Sequence, residues 1–244
     1  MLVHNLTKVA LLGASWVMYL LVALSVISLG VMFERWLFFR KHRGDAEALG
    51  QKLVRLLRRD DRRGAEQLLK NDPTLEAQVL QGALEWIDGG PDAVEEALES
   101  SMGRERKKLE RGLTFLGTLG NNAPFVGLLG TVIGVIQAFH QLGQGNNQEA
   151  MGNVMVGISE ALVATGVGLL VALPAVVAFN VGQRKVSEIE SNVSMIAKHL
   201  LALLRSEHKM VSEFRALSET PPRESISDEV GKDVSYGDVM PGAE

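Results

Sequence analysis

The run VMVGISEALVATGVGLLVALPAVVAF, residues 154–179, is 26 residues long and carries a single charged side chain, Glu160. A helix needs about 20 apolar residues to cross the hydrocarbon core of a bilayer. A backbone in lipid must also satisfy its own hydrogen bonds, which leaves the helix as the form such a run takes. Two comparable runs precede it: Val9 to Phe33, 25 residues without charge, and Leu113 to Phe139, 27 uncharged residues that include Asn121, Asn122 and Pro124. Blocks dense in charge separate them, so the overall hydrophobic fraction of 46% averages two kinds of chain. The sequence predicts an all-α integral membrane protein with three transmembrane helices, and long helices extending into a cytoplasmic helical domain.

The first run is longer than the 7–15 apolar residues of a signal peptide, and Glu34-Arg35-Trp36 follows it where a small-residue cleavage site would stand. It reads as an uncleaved span. Lys and Arg near span ends favour the cytoplasm. Arg35, Arg40, Lys41 and Arg43 follow the first span; Arg104, Arg106, Lys107, Lys108 and Arg111 precede the second; Arg184 and Lys185 follow the third. The loop His140 to Gly152 has none. These flanks place the N-terminus outside and the C-terminus inside. The expected division is an outer N-terminus (1–8), a first span (9–33), a cytoplasmic helical domain (34–112), a second span (113–139), an outer loop (140–153), a third span (154–181), a cytoplasmic helix (182–218) and an acidic tail (219–244).

Between the first two spans the apolar code is helical: Leu49, Leu53, Leu56 and Leu57, then Leu75, Val79 and Leu80 after Pro73. Gly89-Gly90-Pro91 breaks the pattern, and Pro91 suits a first helical turn. From Pro91 to His140 the one other stop signal is Pro124, so a continuous helix of about 50 residues, roughly 75 Å, is expected, kinked near Pro124. Val186, Ile189, Val193, Ile196, Leu200 and Leu203 keep the helical period after the third span, and Pro221-Pro222 ends it. The tail holds seven acids against two bases and reads as disordered.

Several function classes drop out. The chain has no cysteine, which removes disulfides, thiolate metal sites and a Cys nucleophile. His4, His42, His140, His199 and His208 lack metal-ligand spacing, and no phosphate-binding Gly-rich loop ending in Lys-Ser/Thr is present. Residues 34–112 hold 16 basic and 16 acidic side chains without aromatic interleaving, which is a solvated helical surface and not a nucleic-acid site. With no nucleophile–base pair either, the chain is not expected to be an enzyme, and no cofactor or metal is expected.

Glu160 is the sharpest remaining signal. It lies about six residues, roughly 9 Å, inside the outer end of its span. A carboxylate there is costly in lipid and usually faces protein or a water-filled cavity on an ion path; the alternative is a structural group reaching the headgroups. Gly157, Ala161, Ala164, Gly168 and Ala172 form a small-residue stripe on the third span, and Gly127, Thr131, Gly134 and Ala138 form another on the second. Such stripes let helices approach closely in lipid. By helical geometry Thr165 lies about 80° from Gly157 and Glu160 about 60° to the other side. The two spans therefore present either a shared polar seam or threonines that satisfy their own helix carbonyls. Pro124 and Pro174 read as kink makers.

The segments Ala123-Pro124-Phe125-Val126-Gly127-Leu128-Leu129-Gly130-Thr131-Val132 and Gly157-Ile158-Ser159-Glu160-Ala161-Leu162-Val163-Ala164-Thr165 resemble the MotA/TolQ/ExbB proton-channel family, and Gly166 to Ala175 extends the likeness. Three spans with a large first cytoplasmic loop are similar to its ExbB/TolQ branch. The resemblance implies a homo-oligomer, a pentamer, in the bacterial inner membrane around a dimer of a single-span ExbD/TolR-like partner, which supplies the titrating aspartate. Proton flow would turn one against the other and move the envelope through a TonB/TolA-like arm or a motility complex. Thr131 and Thr165 match the family's pore threonines and Glu160 its third-span glutamate. Asn121-Asn122 departs towards higher polarity. The processes open to such a chain are TonB-type transport, Tol-type envelope maintenance and gliding motility. A competing reading is a non-conducting scaffold that recruits partners through residues 34–112.

Overall fold

The computed structural model of the chain describes residues 15–144 and 147–219. Among the described residues it is helical, with no strand: α1 (Ser15–Lys41), α2 (Ala46–Leu57), α3 (Arg62–Asn71), α4 (Leu75–Leu84), a short 3-10 turn (Ile87–Gly89), α5 (Gly90–Glu110), α6 (Leu113–Gln144) and α7 (Asn147–Glu219). Three helices are long and apolar enough to cross a membrane: α1, α6 and α7, whose membrane-capable stretches lie within residues 15–57, 113–143 and 154–206. Their outward surfaces are apolar, with Tyr19 75%, Phe125 67% and Leu170 71% exposed, as a bilayer or a neighbouring protein requires.

The short helices start where side chains replace missing backbone partners. Asp45 accepts from the Ala48 N–H at 3.0 Å, Asp61 from Gly64 at 2.9 Å, and Thr74 from Ala77 at 3.3 Å. Their apolar faces close one core, in which Leu49, Leu53, Leu69, Leu80, Val94 and Leu98 meet Val193, Ile196 and Leu200 of α7. The helical domain is thus built onto the continuation of the third membrane-capable helix. Asn192 of α7 donates to the buried Glu76 carboxylate at 2.9 Å, a second tie between them. A separate core, including Leu21, Leu109, Leu113, Leu116, Ala123, Val171 and Ala175, joins α1, α5, α6 and α7. Arg35, 6% exposed, donates to the Lys108 carbonyl at 3.0 Å and pairs with Glu34, pinning the end of α1 to the α5–α6 junction.

Two expectations change. The helix expected from Pro91 to His140 is divided at Arg111-Gly112: Arg111 is extended, with ψ 128°, and Gly112 has φ 76°, a left-handed conformation that glycine adopts without a Cβ penalty. The helix does run on through Pro124, which lies inside α6 as Pro174 lies inside α7; each removes one backbone donor, leaving the carbonyl four residues earlier without its helical partner. The loop expected over 140–153 is largely helical, since α6 continues to Gln144 and α7 begins at Asn147. Its place between two spans suggested a loop, but its Gln, Glu, Ala and Met tolerate a helix. Residues 1–14, which hold the expected outer N-terminus and the start of the first span, lie outside the described residues, as do Pro221-Pro222 and the tail from 220.

Candidate functional site

The two helices carrying the candidate residues run antiparallel and touch through glycine. A Cβ at Gly127 would lie 2.9 Å from the Ala164 carbonyl oxygen and 3.0 Å from Thr165 Cα. One at Gly168 would lie 2.7 Å from the Ala123 carbonyl oxygen, and one at Gly134 2.6 Å from Ala161 Cβ. Gly157 meets Ala138 at 3.3 Å. Backbone faces backbone along this line, so no rotamer change relieves an added methyl. Spacing alone left out how far the seam extends: Gly120 packs on Val176, Gly117 on the Phe179 ring and Gly182 on Leu113. Gly130 joins it to α1, where a Cβ would lie 3.3 Å from Val17 Cγ1.

The three polar candidates sit differently around that seam. Thr165 is beside Gly127, and its hydroxyl oxygen is buried with no hydrogen-bond partner among the described residues. A buried hydroxyl without a partner is uncommon and costs its full desolvation. Thr131, one turn along α6 from Gly127, donates its hydroxyl to the Leu128 carbonyl at 2.7 Å, so its donor is spent within its own helix. Glu160 is exposed on the surface of the single chain, between the exposed Ser159 and the buried Ala161. The structure thus brings Thr165 onto the seam with Gly127, Gly168 and Ala164, keeps Thr131 at its edge, and leaves Glu160 facing outward. Among the described residues no cluster of three or more metal-ligating side chains occurs. Thr114 and Thr118 on α6 went unremarked in the sequence, although with Asn121 and Asn122 they stand on one helical face.

A family model for the MotA/TolQ/ExbB proton channel family matches residues 71–195, from the end of α3 through α6 and into α7. The chain belongs to that family. The matched segment contains Thr131, Glu160 and Thr165. Relatives agree with the assignment. The Tol-Pal system protein TolQ of Pseudomonas aeruginosa is 34% identical over 175 residues, covering 67% of this chain and 75% of the relative. The Tol-Pal system protein TolQ of Haemophilus influenzae is 32% identical over 206 residues, covering 78% of this chain and 88% of the relative. The biopolymer transport protein ExbB of Xanthomonas campestris is 46% identical over 87 residues, covering 36% of this chain and 34% of the relative. As a proton channel family member with three membrane-capable helices, the chain is a multi-pass membrane protein with an energiser's general role.

Proposed function

We propose that this chain is the multi-span subunit of a two-component proton-driven energiser in the bacterial inner membrane. It forms a ring, a pentamer, around a dimer of a single-span ExbD/TolR-like protein, and turns proton flow into movement of an envelope-spanning arm or motility complex. The chain conducts and transmits; it catalyses no covalent chemistry. The observation that carries this reading is the Thr165 hydroxyl, buried without a partner on a glycine-thin seam inside the family-matched segment. An unmet hydroxyl offers a hydrogen bond that the chain itself does not use, which becomes available to a water or a proton carrier when the seam moves in the assembled complex. Glu160, exposed in the single chain, is positioned for the same partner or for a neighbouring copy.

The basic flanks support an N-terminus outside and a C-terminus in the cytoplasm. Arg40 over the Trp36 ring at 5.1 Å, with Phe33 stacked on Trp36 at 6.0 Å, makes an aromatic and basic band suited to the cytoplasmic interface. One charge crossing 100 mV yields about 2.3 kcal/mol, so a few protons suffice for a modest rotation. The partner complex decides whether TonB-type transport, Tol-type envelope maintenance or gliding is driven.

The test is replacement of Thr131, Thr165 and Glu160 together by Val, Val and Leu, read as force-dependent envelope function in cells and as native mass of the complex purified with the single-span protein encoded beside it. The expected result is an assembled five-to-two complex with function abolished. Normal function in the triple variant sinks the proposal in favour of a non-conducting scaffold acting through residues 34–112.

A further inference from the structure

One face of α6 changes character part-way along the helix. Thr114, Thr118, Asn121 and Asn122, then Phe125, Leu129 and Val132, fall within about 100° of one another at 100° per residue, and all seven are exposed. The opposite face, with Leu116, Ala123, Gly127 and Gly134, is buried. At the end adjoining the helical domain the exposed face is polar; beyond Asn122 it is apolar, with Phe125 67% exposed. The polar part opens into a groove of about 430 Å³ between α6 and α7, lined by Glu110, Thr114, Thr118, Asn121, Asn122 and Gln183, with the Phe179 ring on its apolar side.

Acyl chains do not suit this surface. The side-chain amides of Asn121 and Gln183 line it with no side-chain hydrogen bond among the described residues, and amides left unmet in hydrocarbon are costly. Thr118 donates to the Thr114 carbonyl at 2.8 Å and Asn122 to the Thr118 carbonyl at 2.7 Å. With those two donors turned onto the helix, the Thr118 and Asn122 oxygens remain for the groove beside the Asn121 and Gln183 amides, a lining of acceptors and donors that holds water. The groove's one carboxylate, Glu110, accepts from Arg106 at 2.8 Å, and Arg106 also pairs with Glu190 at 3.3 Å. That ion pair is partly exposed, so the groove continues into an aqueous mouth.

We propose that this face is a water-filled vestibule through which protons pass between the membrane-embedded path and the cytosol, with Asn121-Asn122 at its inner limit. The inference rests on the energiser reading above. It assigns the α6 residues Thr114, Thr118, Asn121 and Asn122 to hydration of the path, and the apolar stretch from Phe125 outward to the seal that keeps bulk water from running through.

The chain has no cysteine, so single cysteines can be read without background. Thr118→Cys, Asn121→Cys, Phe125→Cys and Val132→Cys are introduced into the complex in vesicles with the cytoplasmic face outward, and exposed to a membrane-impermeant cationic thiol reagent. Modification at least about tenfold faster at 118 and 121 than at 125 and 132 is expected; uniformly slow modification overturns the vestibule, because protein or lipid then covers the face. In liposomes, Asn121→Leu with Asn122→Leu in the assembled complex is expected to lower proton flux at least about fivefold. Rapid labelling at 121 with unchanged flux in the double-leucine variant overturns the vestibule and leaves the energiser reading standing. An unsubstituted complex that passes no protons overturns the energiser reading itself, whatever the labelling gradient.

Discussion

Two threonines of the same type and depth do different things here. Thr131 spends its hydroxyl on the Leu128 carbonyl, whereas the buried Thr165 hydroxyl has no partner among the described residues. Removing an unsatisfied buried hydroxyl leaves no orphan behind, so Thr165→Val is expected to keep or slightly raise the thermal midpoint of the detergent-solubilised protein. The same substitution is expected to reduce proton flux by about five- to tenfold, the scale of one lost hydrogen bond in the conducting state. A stabilised variant with undiminished flux contradicts the assigned role. Both threonines were legible as candidates in the sequence, Thr131 from its place within a small-residue stripe and Thr165 from its place beside one. Their separate bonding was not, because it depends on which hydroxyl reaches a carbonyl once α6 and α7 are in contact.

At the scale of helices, the seam works through absent side chains. A Cβ at Gly168 would meet the Ala123 carbonyl oxygen at 2.7 Å, whereas Gly166, two residues away, has nothing within 4 Å. Gly168→Ala is expected to destabilise by about 1–3 kcal/mol through overpacking. Gly166→Ala is expected to be neutral, or to stabilise by up to about 1 kcal/mol through helix propensity. Thermal melts or protease resistance in detergent separate the two; equal effects contradict the seam. The stripe was legible because spacings of three and four put small residues on one side of a helix. The break between α5 and α6 was not, since nothing distinguishes Gly112 in sequence from other glycines until its φ of 76° is known. There Gly112→Ala combines left-handed strain, roughly 1–2 kcal/mol, with a Val31 methyl at 3.0 Å. Its expected signature is a lowered melting midpoint with flux retained in protein that folds.

For the molecule up to Leu204, three runs with a single charge among them declared three spans, and their basic flanks gave an orientation. What the runs did not declare is how the helical domain is carried. Its core closes on Val193, Ile196 and Leu200, so the domain is attached to the same helix that bears Glu160 and Thr165. That attachment was hidden because it pairs residues more than 100 positions apart, as with Glu76 and Asn192. Cutting the tie tests whether the domain transmits movement of the third span. Asn192→Leu leaves the Glu76 carboxylate buried without this partner, and is expected to cost about 1–3 kcal/mol of domain stability. It is also expected to weaken force output more than proton flux; equal losses in both contradict transmission through α7.

The central claim is that this chain conducts protons only together with a single-span partner. Proton flux into liposomes at an imposed membrane potential tests it most directly, comparing the chain alone, the co-purified complex, and the complex carrying Thr165→Val. The account predicts no flux from the chain alone, measurable flux from the complex, and about five- to tenfold less with the valine. Flux from the chain by itself, or a properly assembled complex that passes none, contradicts it.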